Sequence, residues 1–362
     1  MTTNKNAPLA SNPTHTDMDM SPDSASGSSF SSSHRLVVLG GGEAGLAVLH
    51  ALNDQSFASD IALIEPSSYH YNQRAWMEVG TQGTQKERTR SDLRPRIPPN
   101  VHWIQDRVAR IAPDDRRLTV ESGQDISYEY LVIALGTTVL WDRIRGLEDN
   151  LGASGICSVY GYEQSERTWE MIRDFPGGRA FFTAPSSPHK GGTAPLQILR
   201  EAESLWRKTG VREHTDLFFT IGPTEPDGEP EYAKLLNESP SEDLHVFDGY
   251  ELTEVRPDAQ EAVFSVRKGQ SSSQDVLRYD LIHVVPPMRP PALLEESGLA
   301  HPSGPMKGYL EVDPASLRHK RFPTVFGVGD AVGVEEVKTA QRARKQAKKV
   351  AHVLRRAMQE GA

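Results

Sequence analysis

Polar residues fill roughly the first 33 positions with no apolar periodicity, and the first apolar run is Leu36-Val37-Val38-Leu39. Four consecutive apolar residues predict a short strand covered on both faces. Leu46, Leu49 and Leu52 then recur at helical spacing, and Ile61-Ala62-Leu63-Ile64 forms a second buried run. Val101 to Ile111 returns to a strand-like pattern. Arg117–Glu121 and Ile126–Tyr130 read as a hairpin, and Leu131-Val132-Ile133 as a buried strand. A domain boundary falls near Gly146. Beyond it, Tyr162–Phe175 predicts an amphipathic helix through Trp169, Ile172 and Phe175. Gly177-Gly178 breaks that helix, and Ala180–Thr183 is a strand. A proline-flanked loop leads to Pro195, a residue suited to the first turn of a helix. Leu217–Ile221, Ala262–Val266 and Leu281–Val285 are further strands, and a long helix follows Val325–Asp330.

The first two runs frame Gly40-Gly41-Gly42-Glu43-Ala44-Gly45, a G-x-G-x-x-G turn between strand and helix. In such a turn the first glycine makes the tight bend and the second lets backbone approach a pyrophosphate. The third allows close helix–strand packing, and the helix N-terminus adds N–H donors and a positive dipole. The second strand ends in Glu65, twenty residues after Gly45, where an acidic residue meets a ribose hydroxyl. Strand, turn, helix and acid in this order predict a dinucleotide-binding α/β unit. A second βαβ unit covers Ala180 to Ile221, but its strand-to-helix turn has no such fingerprint.

At 362 residues and 37% apolar content the chain has room for about two domains with cores. A net charge of −9 argues against nucleic acid as a partner. No run approaches the roughly 18 apolar residues of a membrane span. The acidic, arginine-free stretch before Arg35 is read as a disordered tail, residues 1–33, and not as a targeting peptide; the expected location is the cytoplasm. Twelve histidines without H-x-x-x-H or C-x-x-C spacing give no metal site. One cysteine, Cys157, excludes an intrachain disulfide.

Three separated features coincide: Gly40–Gly45 with Glu65, Ala134-Leu135-Gly136 after a buried strand, and Gly327-Val328-Gly329-Asp330. Together they resemble FAD flavoproteins with two Rossmann-like dinucleotide-binding domains, and most of all the sulfide:quinone oxidoreductase family in its mitochondrial-type branch. The matching residues are His70-Tyr71-Asn72-Gln73, Gly155-Ile156-Cys157-Ser158, Pro188-His189-Lys190 with Ala194-Pro195, His283-Val284-Val285-Pro286-Pro287-Met288, and Lys338-Thr339-Ala340. The resemblance implies an FAD-binding domain from residues 34–146 and 292–362, and a second Rossmann-like domain from 147–291. It implies that Gly40, Gly42, Gly45 and Gly136 border the FAD, with Glu65 on the adenosine ribose. Gln73 falls at a family FAD contact, the Val108 backbone at the adenine, Asp330 at the ribityl chain, and Lys338 at the flavin pyrimidine. It also implies a small-molecule redox substrate and a quinone.

The chain departs from the family where sulfide is oxidised. The redox cysteine pair falls at Gly191 and Ala331, so both sulfurs are missing. Cys157 matches a third family cysteine and is either a remaining redox thiol or a small buried residue. Lys338 is either a flavin-stabilising cation or an exposed lysine. The family's C-terminal membrane helices have no counterpart before Ala362, while the last helix carries Arg342, Arg344, Lys345, Lys348, Lys349, Arg355 and Arg356. That face suits either solvent or peripheral contact with anionic lipid. The readings are an FAD-dependent oxidoreductase of sulfide:quinone type, an FAD enzyme using NAD(P)H or a thiol, and a flavin-binding protein with little turnover.

Overall fold

The computed structural model describes residues 31–53, 60–223, 231–238 and 243–360. Its helices are α1 (Glu43–Leu52), α2 (Trp76–Gln82), α3 (Tyr162–Arg173), α4 (Ala194–Thr209), α5 (Glu231–Glu238), α6 (Leu293–Glu296) and α7 (Ala340–Glu360). The expected tail over 1–33 lies outside the described residues except for Ser31–Ser33, and there the expectation is corrected. The first strand is Ser31–Leu39, and its serines pair in parallel with Asp125–Ser127. Backbone hydrogen bonds to a neighbour give an otherwise polar segment its strand.

The first sheet has the order Val101–Ile104, Ile61–Ile64, Ser31–Leu39, Asp125–Ile133, Arg117–Val120, Val108–Ala112, with Val325–Gly327 also beside Asp125–Ile133. Leu36–Leu39 and Leu131–Ile133 are fully buried, in one core with Leu46, Val48 and Leu49 of α1 and Val350 and Leu354 of α7. The hairpin and the buried strand of the sequence reading are one element. Asp125–Ser127 pairs antiparallel with Arg117–Thr119, and Leu131–Ile133 pairs in parallel with Val325–Gly327. The two ends of that strand thus serve different neighbours. The stretch from Val101 to Ile111 is split between two strands, which flank opposite edges of the sheet.

A second, parallel sheet has the order Ile156–Cys157, Leu281–His283, Gly178–Ala184, Thr215–Ile221, Leu244–Asp248. Ala262–Val266 belongs to neither sheet; it lies in an antiparallel meander of Tyr250–Arg256, Glu261–Lys268 and Ser271–Arg278. α3 stops at Arg173, yet Phe175 still packs on Trp206 of α4, ring centroids 4.8 Å apart. Near this core His283 is fully buried, accepting the Val159 N–H at Nε2 (3.2 Å).

Burial pushes the His283 imidazole down to about 3. Below the unfolded value of about 6.5 the unfolded chain binds a proton that the native chain refuses. Stability should therefore fall as pH drops from about 6.5 towards 3, by up to roughly 4 kcal/mol from this group. Chemical denaturation at pH 7 and pH 4.5 checks this. A His283→Phe variant should lose part of the acid sensitivity, even though it also loses the Val159 bond.

Candidate functional site

The turn after Leu39 is shaped by three glycines with different surroundings. Gly40 has φ +102°, and a Cβ there would lie 2.5 Å from the Ala134 carbonyl oxygen. A Cβ on Gly45 would lie 1.9 Å from the Gly40 carbonyl oxygen. These two glycines close the strand, turn and helix onto one another. A Cβ on Gly42 would meet nothing within 4 Å, and Gly42 caps α1 without a side-chain bond. The open side of the turn therefore lies at the uncapped, positive end of α1, which is the cradle a pyrophosphate requires. Gly136, at φ +66°, faces open space in the same way.

Glu65 stands beside this turn. Its Oε2 accepts the Gly41 N–H (2.7 Å), its Oε1 accepts the Ser67 N–H (2.8 Å), and its carbonyl accepts the Trp103 indole N–H (2.9 Å). Both carboxylate oxygens are oriented by backbone and keep lone pairs for a hydroxyl donor. Val108 opens the strand that follows Trp103 and Ile104; it is half-buried and pairs with Val120.

A second group gathers from four distant segments. The Lys190 ammonium donates to Gln73 Oε1 at 2.8 Å, although 117 residues separate them. Lys190 and Lys338 form a parallel bridge, with the Gly191 N–H donating to the Lys338 carbonyl at 2.8 Å. The half-buried Asp330 carboxyl is pushed up by burial, and the charges of Lys190 and Lys338 oppose that shift. Burial lowers both lysines, and Asp330 works against it. Lys338 is not an exposed helical cation: it precedes α7 and is 6% exposed. Its ammonium donates to the Val332 carbonyl and to that of Val334 (3.4 Å), over the Tyr309 ring at 5.2 Å.

Cys157 does not join this group. It sits in the strand Ile156–Cys157, 0% exposed among apolar side chains, and burial pushes its thiol up to about 12. Burial works against forming the thiolate, so this environment favours the small-buried-residue reading of Cys157 over the redox one. Gly191 has φ +94° and Ala331 is 0% exposed.

Sequence reasoning quoted Lys190 and His189 only within a matching run and gave no site role to them, to Tyr160 or to Tyr309. The His189 ring contacts the Ser187 carbonyl (3.2 Å), the Gly192 carbonyl (3.1 Å) and the Tyr232 hydroxyl (3.2 Å), pinning the loop that carries Lys190. The hydroxyls of Tyr160 and Tyr309 are buried and without a hydrogen-bond partner among the described residues. Tyr160 follows the Gly155–Ser158 run by two residues, the one signal that could have drawn notice to it. The Tyr160 hydroxyl lies near Gly191 and the Tyr309 ring under the Lys338 ammonium, and orphaned buried hydroxyls beside that lysine group fit a bound polar cofactor.

Comparison with known proteins agrees with this geometry. Residues 34–167 match the family model described as pyridine nucleotide-disulphide oxidoreductase. The chain is 36% identical over 308 residues to the mitochondrial sulfide:quinone oxidoreductase of Mus musculus, covering 85% of this chain and 67% of the mouse protein. The chain belongs to the sulfide:quinone oxidoreductase family. The corresponding protein of Dictyostelium discoideum is 34% identical, covering 86% of this chain and 68% of its own length. The crystal structure of the sulfide:quinone oxidoreductase of Aquifex aeolicus superposes with a TM-score of 0.74 over 90% of this chain and 77% of that one. At 19% identity that likeness speaks for the fold. As a sulfide:quinone oxidoreductase homologue, the protein is an FAD-dependent oxidoreductase of α/β architecture. No helix among the described residues is long and apolar enough to cross a membrane.

Proposed function

We propose that this FAD enzyme takes electrons from a small sulfur donor that meets the flavin directly, with no thiol of the chain as relay, and passes them to a quinone. One observation carries the reading: the only cysteine, Cys157, is sealed in an apolar core with its thiol pushed up to about 12. FAD, when bound, supplies the two-electron acceptor. Residues 34–146 and 292–362 would hold it through Gly40, Gly42, Gly45, Glu65, Gln73, Val108, Gly136, Asp330 and Lys338, with 147–291 presenting Lys190 from the facing side. Lys190 and Lys338 would place positive charge where a reduced, anionic ring needs it.

The quinone rests on the relatives' names, as does the compartment: those names say mitochondrial, which favours that location over the cytoplasm expected from the N-terminal composition. The exposed cations Lys345, Lys348 and Arg356 on α7 suit peripheral contact with an anionic surface. A nicotinamide donor is the alternative, because α4 follows the strand Gly178–Ala184 with an uncapped N-terminus. The loop between them has no G-x-G-x-x-G. Anaerobic titration of the yellow protein separates the two. Slow, complete bleaching by sulfide that survives iodoacetamide treatment is expected. Fast bleaching by NADPH, or loss of sulfide bleaching on alkylation, would overturn the proposal.

A further inference from the structure

We propose that the groove between α1 and α7 binds a free amphiphilic anion, an aliphatic chain that ends in a carboxylate or phosphate group. Glu43, Leu46, Ala47, His50 and Ala51 recur at helical spacing and form one wall, along about 12 Å of α1. Arg344 and Lys348, one turn apart on α7, form another, and His70 and Arg96 complete the lining. The groove encloses about 470 Å³, within the range of pockets that hold small molecules. Its lining includes none of the turn glycines and neither Glu65 nor Asp330, so it is a different place from the cofactor cradle.

The lining pairs apolar surface with unspent positive charge. Leu46, Ala47 and Ala51 supply a floor without a polar side-chain atom. Besides the two histidines, Arg96, Arg344 and Lys348 stand against a single carboxylate, Glu43. That carboxylate already accepts the Arg344 Nε–H and lies 3.9 Å from His70 Nε2. Among the described residues Arg96 spends only its Nε–H, on Ser91 Oγ at 2.7 Å. The Lys348 ammonium has no hydrogen-bond or ion-pair partner among them. Its α7 neighbours differ: Arg342 lies 3.8 Å from Glu336, and Lys349 lies 3.4 Å from the Pro314 carbonyl oxygen. An inorganic anion would answer Arg96 and Lys348 but leave the apolar floor in water, and an uncharged hydrocarbon would do the reverse. An amphiphilic anion satisfies both.

The test adds decanoate, below its micellar concentration, to the FAD-containing protein. Titration calorimetry should find one decanoate per chain, with acetate and decanol each at least tenfold weaker. Lys348→Gln should weaken decanoate binding at least tenfold and melt as the parent does, because the Lys348 side chain is exposed and has no partner among the described residues. Ala47→Leu, which fills the floor, should abolish binding. Lys345 is exposed on the same helix but outside the groove, so Lys345→Gln should leave the affinity unchanged. Equal losses from Lys345→Gln and Lys348→Gln would reveal diffuse surface charge and overturn the site, as would unchanged affinity in both Lys348→Gln and Ala47→Leu. Release of FAD by decanoate would put the chain in the cofactor cradle and overturn the groove. Binding to phosphatidylglycerol vesicles without binding of free decanoate would also overturn it, and assign Lys348 to a membrane surface. None of these readouts depends on the electron donor, so a failure of the proposed reaction leaves them standing.

Discussion

A Gly42→Val variant should fold as well as the parent and purify colourless, with FAD affinity lowered at least about 100-fold, near 3 kcal/mol. The reason lies in the uneven surroundings of the three turn glycines. At Gly42 a Cβ meets no protein atom within 4 Å, so the isopropyl group costs the fold little and stands in the pyrophosphate path. Gly45→Ala should behave in the opposite way. Its methyl group would lie 1.9 Å from the Gly40 carbonyl oxygen, so backbone must shift, at about 3 kcal/mol of stability. Flavin absorbance per chain and denaturant midpoints, measured together, separate the two effects. A yellow Gly42→Val protein would remove the cradle from the cofactor site.

The double variant Gly191→Cys with Ala331→Cys should raise the rate of sulfide bleaching at least about 100-fold over the parent. Two sulfurs beside Lys190 and Asp330 would restore an attacking thiolate and a partner to close a disulfide. Stability should suffer. Gly191 sits at φ +94°, where a side chain costs about 1–3 kcal/mol. Ala331 is 0% exposed, so an added sulfur overpacks its surroundings. Thiol titration before and after oxidation would report whether the pair closes, and stopped-flow bleaching would report the rate. A parent that already matches the double variant would show that the missing sulfurs do not limit the reaction.

Local chemistry was legible in the sequence. Leu36–Leu39, the glycine turn, α1 and the strand ending at Glu65 lie within 30 residues and depend on steric rules of contiguous backbone. The resemblance extended that reading to Gln73, Asp330 and Lys338, but not to their environments. Only tertiary structure joined Lys190 to Gln73 across 117 residues, because a hydrogen bond between two distant segments leaves no periodicity in either. Burial was decided at the same level. Sequence left Lys338 either a flavin-stabilising cation or an exposed lysine, and in the fold carbonyl groups and the Tyr309 ring enclose it. Cys157 is buried by the apolar side chains that the second sheet and its helices bring around it. Ser31–Ser33 are strand because Asp125–Ser127 run alongside them. In each case the deciding atoms come from distant residues, and exposure, pairing and acidity belong to the assembled surroundings rather than to the residue type.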